Sequence, residues 1–491
     1  MKKQIVLIPA IILISAIRLL AQDLNLDLKD AVDLALMNNS KIKQYNEKLQ
    51  QKEYDNLSAW GNFLPSVNFD LSYTHLNKNM SIDLDPIKQV IVQLNAGTQT
   101  ELKNISNILS GNAPFSDQQK LIIKNQIAAQ LNEQISPFIE TFKKQDYRTA
   151  TLSVIQPLFL GGKLISAKNY ANSEEAIANL ELEKIRNEVI TEVIDAYTKV
   201  ALLKKVVNTR QNVLEGMNKH RDDAKKIFEQ GLIANYHLLR AEVAVAEAER
   251  NLINDQNNLS LAYTNLLTVI GIDRSAKISI VDSLEYHPYE NSLESLQRIS
   301  SENQLILKII EMKKDEAKAN TWMARSSFLP QLFAFGKYEM YPEYLSSLEP
   351  RWAVGLQMRY NLFNGFKDYL KLQNASHLED EVNFIEADTK RKINLWINKA
   401  FLDANNSKTR YQKLGATTDL ANENLRQNEK RFLSGLGKSL EVIDARLSLE
   451  KVEIDKLISL YEYYHSLCDL FLAVGTPYEF FKVWKNQENI K

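Results

Sequence analysis

The sequence is poor in the residues that punctuate a chain. Its 15 glycines and 11 prolines are few for 491 residues, which argues against a loop-rich fold and for long uninterrupted helices. One cysteine, Cys468, excludes an intrachain disulfide. It sits in the apolar run SLCDLFLAV and reads as a small buried hydrophobe, not a reactive thiol. Net charge is almost absent: 60 Lys and Arg against 61 Asp and Glu leave −1, without the basic excess of a nucleic-acid-binding surface. His75, His220, His237, His287, His377 and His465 are scattered without metal-ligand spacing. There is no phosphate-binding loop and no nucleophile motif. Neither a cofactor nor an enzymatic activity is expected.

Long hydrophobic runs are scarce too. The N-terminal MKKQIVLIPAIILISAIRLLAQD has basic Lys2 and Lys3, an apolar run from Ile5 to Ile17 too short to span a bilayer, and Ala21 for cleavage. It predicts a secretory signal peptide over 1–21. No cysteine follows it, so no lipid anchor is expected at a mature N-terminus. Nothing later is apolar for long enough to make a membrane-spanning helix. The chain reads as exported, and either soluble or inserted as strands.

What is abundant is repetition. FEQGLIANYHLLRAEV (from Phe228) and FLSGLGKSLEVIDARL (from Phe432) share one template. A shift of 204 carries Phe228, Gly231, Leu232 and Ala241 onto Phe432, Gly435, Leu436 and Ala445. It also carries Leu158, Phe159 and Gly161 onto Leu362, Phe363 and Gly365, and Gly271 onto Gly475. Upstream the shift is 265, matching Asn38 to Asn303 and Phe63-Leu64-Pro65 to Phe328-Leu329-Pro330. Two copies of one unit follow, the first with about 61 extra residues inserted near 80–145.

Each copy reads helix, strand, strand, helix, helix. Leu182, Ile185, Val189, Val193, Ala196, Val200, Leu203 and Val207 recur every three or four residues, a sustained coiled-coil-like seam. In WAVGLQMRYNLF, Trp352, Val354, Leu356, Met358 and Tyr360 share one face, with polar or small residues opposite. That alternation, with aromatics near both ends, fits a membrane β-strand. SVNFDLSYTH alternates likewise, QLFAFGKYEMY less cleanly, and YRTATLSVIQPLF least. Four strands cannot close a barrel, and an open edge cannot sit in lipid. If the strands are in a membrane the chain must oligomerise, and three copies would supply twelve strands with an open lumen.

The expected order is a signal peptide (1–21), an N-terminal helix (22–62) and a first β-hairpin (63–162) with its insertion at about 80–145. A first long helical hairpin (163–275, tip near 228–236) and a connector with a helix (276–327) follow. The second copy adds a β-hairpin (328–366) and a long helical hairpin (367–476, tip near 432–440), before a tail (477–491). In the insertion, LIIKNQIAAQLNEQISPFIETF has helical spacing and predicts a partly helical cap or collar. A disordered loop around SGNAPFSDQQ is the alternative.

With FLP at both strand entries, LFxG at both strand exits, two Gly-Leu turns and tandem copies, the chain resembles the TolC-like outer-membrane efflux family from about Leu26 to Pro477. The resemblance implies a mainly helical trimer: a 12-stranded barrel in outer-membrane lipid, continued by an α-helical barrel in the periplasm. It implies an exit duct for small molecules or proteins, served by a periplasmic adaptor and an inner-membrane pump. Gly231, Leu232, Gly435 and Leu436 match the family's adaptor-docking tips. Glu441 and Asp444 match its acidic periplasmic gate, whose rings of carboxylates would favour cations. In the first copy the equivalent columns hold His237 and Arg240, and Arg240 could latch to Glu441 or Asp444 of a neighbouring helix. The rival reading is a soluble periplasmic coiled-coil scaffold or adaptor without a pore. It leaves the aromatic-bearing strands unexplained.

Overall fold

The structure, a computed structural model, describes residues 24–273, 276–346 and 349–485. The expected signal peptide lies outside the described residues. The chain forms two compact units: one of the chain through Ser58, Ile165–Ala324 and Tyr369 onward, the other of Ala59–Leu164 and Arg325–Asp368.

In chain order the elements of the first copy are β1 (Leu24–Leu26), α1 (Leu28–Asn38), α2 (Ser40–Gly61), β2 (Ser66–His75), β3 (Met80–Asp83), α3 (Asp85–Leu109), α4 (Asp117–Gln134), β4 (Ile139–Lys143), β5 (Asp146–Leu160), α5 (Lys163–Glu229) and α6 (Asn235–Ile270). The second copy continues with β6 (Ile278–Ile280), α7 (Leu293–Asn303), α8 (Leu305–Arg325), β7 (Gln331–Glu339), β8 (Trp352–Arg359), α9 (Lys367–Leu433) and α10 (Ser439–Val474), and ends in the short α11 (Phe480–Trp484).

The helical unit keeps the 204-residue register at both ends of both hairpins. Helices α5 and α9 are each 67 residues, and α6 and α10 each 36. At ~1.5 Å per residue the long pair runs about 100 Å. Each return helix stops on a left-handed glycine, Gly271 (φ 81°) or Gly475 (φ 86°). A Cβ there would fall 2.8 Å from the carbonyl oxygen of Asn38 or Asn303. The next residue then caps the same helix end. Asn39 Nδ2 donates to Val269 O at 2.8 Å, and Gln304 Nε2 to Ala473 O at 2.8 Å, satisfying carbonyls a helix terminus otherwise leaves open.

This capping corrects the single helix expected over 22–62. Asn39 is extended (φ −60°, ψ 129°) and divides α1 from α2; Gln304 (φ −66°, ψ 114°) divides α7 from α8 in the same way. Strands β1 and β6, paired in parallel from Leu24↔Ile278 to Leu26↔Ile280, are too short to give a period-two signal. The core of this unit gathers Tyr197, Tyr463, Tyr464, Phe471 and Phe480, all nearly inaccessible, with Cys468 3 % exposed beside them. Their hydroxyls pin the irregular connector after β6: Tyr463 donates to His287 O (3.1 Å) and Tyr464 to Glu285 O (2.5 Å). Buried tyrosines need such partners.

The α5 seam departs from its sequence reading in one respect. Leu182 through Val200 are buried, but the stripe then moves to Leu202, Val206, Thr209, Val213, Met217, His220 and Ala224. A 3.6-residue helix drifts against a strict three-four repeat over so many turns, and the drift brings His220 inside.

The second unit is an antiparallel sheet in the order β2-β5-β7-β8. Its insertion is a β3–β4 pair carrying α3 and α4. The sequence pattern anticipated α4 but not α3. Of SGNAPFSDQQ, residues 110–116 form the tight link between them and the rest opens α4. Asn104 Oδ1 accepts Phe115 N (2.8 Å), Asn107 Nδ2 donates to Ala113 O (2.8 Å), and Ser116 with Gln119 closes a capping box on α4.

Candidate functional site: helical tips and an apolar sheet face

The two tips share one backbone. Gly231 (φ 73°) and Gly435 (φ 75°) are left-handed with open space where a Cβ would sit; only the sign of φ demands glycine. Leu232 N donates to Ile227 O (3.1 Å) and Leu436 N to Arg431 O (2.9 Å), closing each long helix in a Schellman-type turn. The leucines themselves are 71 % and 77 % exposed, an uncommon position for large apolar side chains standing at a turn.

Side chains then separate the copies. In the second, Glu441 is the third residue of α10 and accepts the Lys438 backbone N–H at 3.2 Å; Arg431 lies 3.8 Å away. Asp444, nearly a turn later, is exposed and has no ion pair among the described residues. In the first, Ala234 caps α6 with no side-chain bond. Arg240 is exposed, also without an ion pair among the described residues. Within one chain, therefore, Arg240 meets neither Glu441 nor Asp444; the basic partner of Glu441 is Arg431, from the helix just before it. His237 is half-buried and its ring lies tilted against that of Tyr236, centroids 4.0 Å and planes 32° apart.

Sequence reasoning missed the residues that join the two hairpins. His220 of α5 is 5 % exposed; its Nε2 lies 2.8 Å from Ser439 Oγ and its ring 4.7 Å from that of Phe432. Ser439 Oγ also donates to His237 O at 3.5 Å. Burial, reinforced by the Arg446 charge and opposed by Asp223, pulls the His220 imidazole down to about 4. Arg446 bonds Glu429 and lies where a Cβ on Gly216 would be, which accounts for a glycine in mid-helix. Deeper in the bundle Arg210 joins three helices through Asp255 (2.8 Å) and Glu450. The spacing Val213, Met217, His220, Ala224 was the available signal.

In the sheet, Trp352, Val354, Leu356 and Met358 lie on β8 and are 62–73 % exposed. Tyr360 falls one residue beyond the strand, which ends at Arg359, shorter than the pattern implied. The register sets Phe69, Leu152, Tyr338 and Trp352 side by side, then Val67, Val154, Gly336 and Val354. One apolar face thus crosses all four strands. The alternate face carries Asn68, Ser153 and Lys337, then Asp70, Thr151 and Glu339. Thr151 Oγ1 donates to Glu339 at 2.8 Å and Lys337 pairs with it at 2.7 Å. Strand β5, the least legible in sequence, is the longest at 15 residues and pairs on both sides. Pro157, which has no N–H to give, stands at its register shift. Strands β2 and β8 are the sheet's edges.

Among the described residues no group of three His, Cys, Asp or Glu side chains could hold a metal ion, and no helix is long and apolar enough to cross a membrane.

Known proteins share this arrangement. The Campylobacter jejuni CmeC outer membrane channel superposes with a TM-score of 0.70 at 15% identity, over 94% of this chain and 89% of that one. A membrane protein from Pseudomonas aeruginosa gives 0.70 at 16%, covering 92% and 91%. The Vibrio cholerae outer membrane protein VceC gives 0.68 at 17%, covering 91% and 96%. At such identities the likeness speaks for the fold alone. No curated protein matches the sequence. The family model for outer membrane efflux proteins does match, over residues 126–272 and 298–476, one stretch in each copy. With most of its length so matched, the chain belongs to the outer membrane efflux protein family.

Proposed function

We propose that this outer membrane efflux channel acts as a homotrimer, the exit duct to which a periplasmic adaptor and an inner-membrane pump deliver substrate. One observation carries the reading. The sheet has a continuous apolar face, exposed most strongly on β2 and β8, and those same two strands are unpaired edges. Lipid satisfies the face but not the edges; β2 of one copy pairing with β8 of the next satisfies both. Three copies close twelve strands around a lumen lined by the polar face. Family membership favours the duct over the soluble scaffold.

At the tips, Leu232 and Leu436 offer apolar anchors for an adaptor, held in place by Gly231 and Gly435. Three copies of Glu441 and Asp444 bring six carboxylates to the periplasmic end and make it cation-selective. The two differ in role. Glu441 is engaged by its helix cap, whereas Asp444 is unpaired and the stronger contributor to the gate. His237 and Arg240 remain available to neighbouring copies.

Single-channel conductance in planar bilayers tests this, comparing the native protein with Glu441→Ala, Asp444→Ala and the double variant. A small cation-selective conductance that loses selectivity chiefly with Asp444→Ala supports the gate. Conductance unchanged in all three moves the gate elsewhere. Recovery of the folded protein only in the soluble fraction defeats the duct itself.

A further inference from the structure

The insertion between β2 and β5 contains a helix that faces the wrong way for a monomer. Towards α4, helix α3 buries Lys88, Val92, Ala96, Thr100 and Asn104, a largely polar set. Its more apolar side points outward: Ile87 is 56 % exposed, Val90 59 %, Leu94 66 %, Leu102 60 %, Ile105 51 % and Leu109 83 %. At ~100° per residue these fall within about a third of the helix circumference, opposite the side that packs on α4. Amphipathic helices turn such a stripe into a core, not into water.

We infer that this stripe packs against the α3 helices of the other copies of the chain about the three-fold axis, where the same side chains of each copy can meet, so that the insertions of an assembled channel form a helical collar. The inference rests on the trimeric reading above. Continuity supports this occupant. The insertion leaves from the end of β2, the edge strand that must meet a neighbour, through the four residues Leu76 to Asn79. It is tied to the sheet there, with Leu76 N donating to Gln145 O at 2.8 Å and Gln145 N to Asn79 Oδ1 at 2.6 Å. The insertion that continues this edge strand is thus the one that carries an uncovered apolar side.

Charge supports it too. Copies of one helix meeting face to face cannot tolerate a like charge on the stripe. The one charged residue within it, Glu101, is already paired with Lys120 of α4 at 3.0 Å. Its neighbours Gln93, Asn95, Thr98 and Gln99 are uncharged. Ile87, Val90 and Leu94 form one apolar group and Leu102, Ile105 and Leu109 a second, with Thr98 and Glu101 between, in the three-four spacing of a coiled-coil seam.

Site-directed cysteines test this cleanly, because the one native thiol, Cys468, is buried. Leu94→Cys and Ile105→Cys are placed singly in the full-length protein, with Gln99→Cys as an exposed control off the stripe. The extracted oligomer is sized, oxidised, and separated without reductant. Stripe cysteines linking most of the protein into covalent dimers, at least five-fold more than Gln99→Cys, are the expected result. A trimer of correct size whose stripe cysteines link no more than the control overturns the collar and leaves the trimeric channel standing. Cross-links to a species that is not a multiple of the chain also overturn it, since another protein then covers the stripe. So does protection from a water-soluble maleimide without cross-linking, which points to lipid. A verified, folded protein that is only monomeric overturns both readings. Leu94→Glu with Ile105→Glu gives an independent readout: the trimer-dissociation temperature falls if the stripe is an interface and stays unchanged if it is not.

Discussion

The two copies of the repeat have the same backbone and different surroundings. Helices α5 and α9 are equal in length and register, yet α5 is buried along most of its seam, while α9 leaves Phe384 76 % exposed, Leu395 70 % and Leu420 73 %. Their tips share glycines and turn hydrogen bonds, but only the second carries a carboxylate cap and a free Asp444. Backbone geometry is therefore duplicated where folding needs it, in glycine positions and helix lengths. Side chains diverge where each copy meets a different neighbour: the protomer core for α5, and in the trimeric reading another subunit for α9.

The largest expected effect breaks the duplication at its two tightest points. Gly271 and Gly475 are both left-handed and both in contact with a backbone carbonyl, whereas Gly231 and Gly435 are left-handed but open. Alanine at either of the first pair combines the left-handed penalty with a clash against immovable backbone and costs about 3–4 kcal/mol. At either of the second pair it costs about 1–2 kcal/mol. Thermal denaturation of the four variants checks the ranking. Equal losses at all four sites would mean that the Asn38 and Asn303 contacts relax freely.

The next effect is pH-dependent and belongs to one copy. An unfolded histidine titrates near 6.5, and folded His220 at about 4. Between those values the unfolded chain takes up a proton that the folded tip refuses. Stability therefore falls as the pH drops from about 6.5 towards 4, by on the order of 2–3 kcal/mol at the end of that range. The equivalent column of the second copy holds Asn424. His220→Asn makes the copies alike and should flatten this part of the profile, read as protease cleavage near the tips between pH 7 and 4.5. Acid sensitivity that persists undiminished in the variant would assign it to other groups.

How much of this was legible depended on the length scale of the signal. Register and long helices appeared in the sequence because glycines and seam residues recur over a hundred positions or more. The exposed apolar residues of β2 and β8 appeared because edge strands with one apolar face alternate cleanly. Strand β5 did not: it is paired on both sides and interrupted by Pro157, so its pattern is blurred. Nor did the His220–Ser439 contact, which joins residues 219 apart that no local spacing connects. Helix α3 was hidden for another reason. Its apolar residues lie on the side away from its own chain, and a reading that looks for an intrachain core has no use for them.

The smallest effect tests whether the tips differ by design or only by drift. Residues 237 and 441 are both the third of their helices, α6 and α10. At 441 a carboxylate closes on the Lys438 N–H and complements the helix dipole; at 237 an imidazole does neither. Glu441→Ala should then cost about 0.5–1 kcal/mol of tip stability. His237→Glu should return roughly half of that amount to the first copy, the gain being reduced because the side chain is half-buried and must lose hydration. Conductance separates the two explanations. If His237→Glu stabilises the tip and leaves the pore's selectivity unaltered, the column is merely a cap position that the first copy lost. If it also makes the pore more cation-selective, the histidine has kept negative charge out of half the gate, and the asymmetry between the copies is part of how the channel selects.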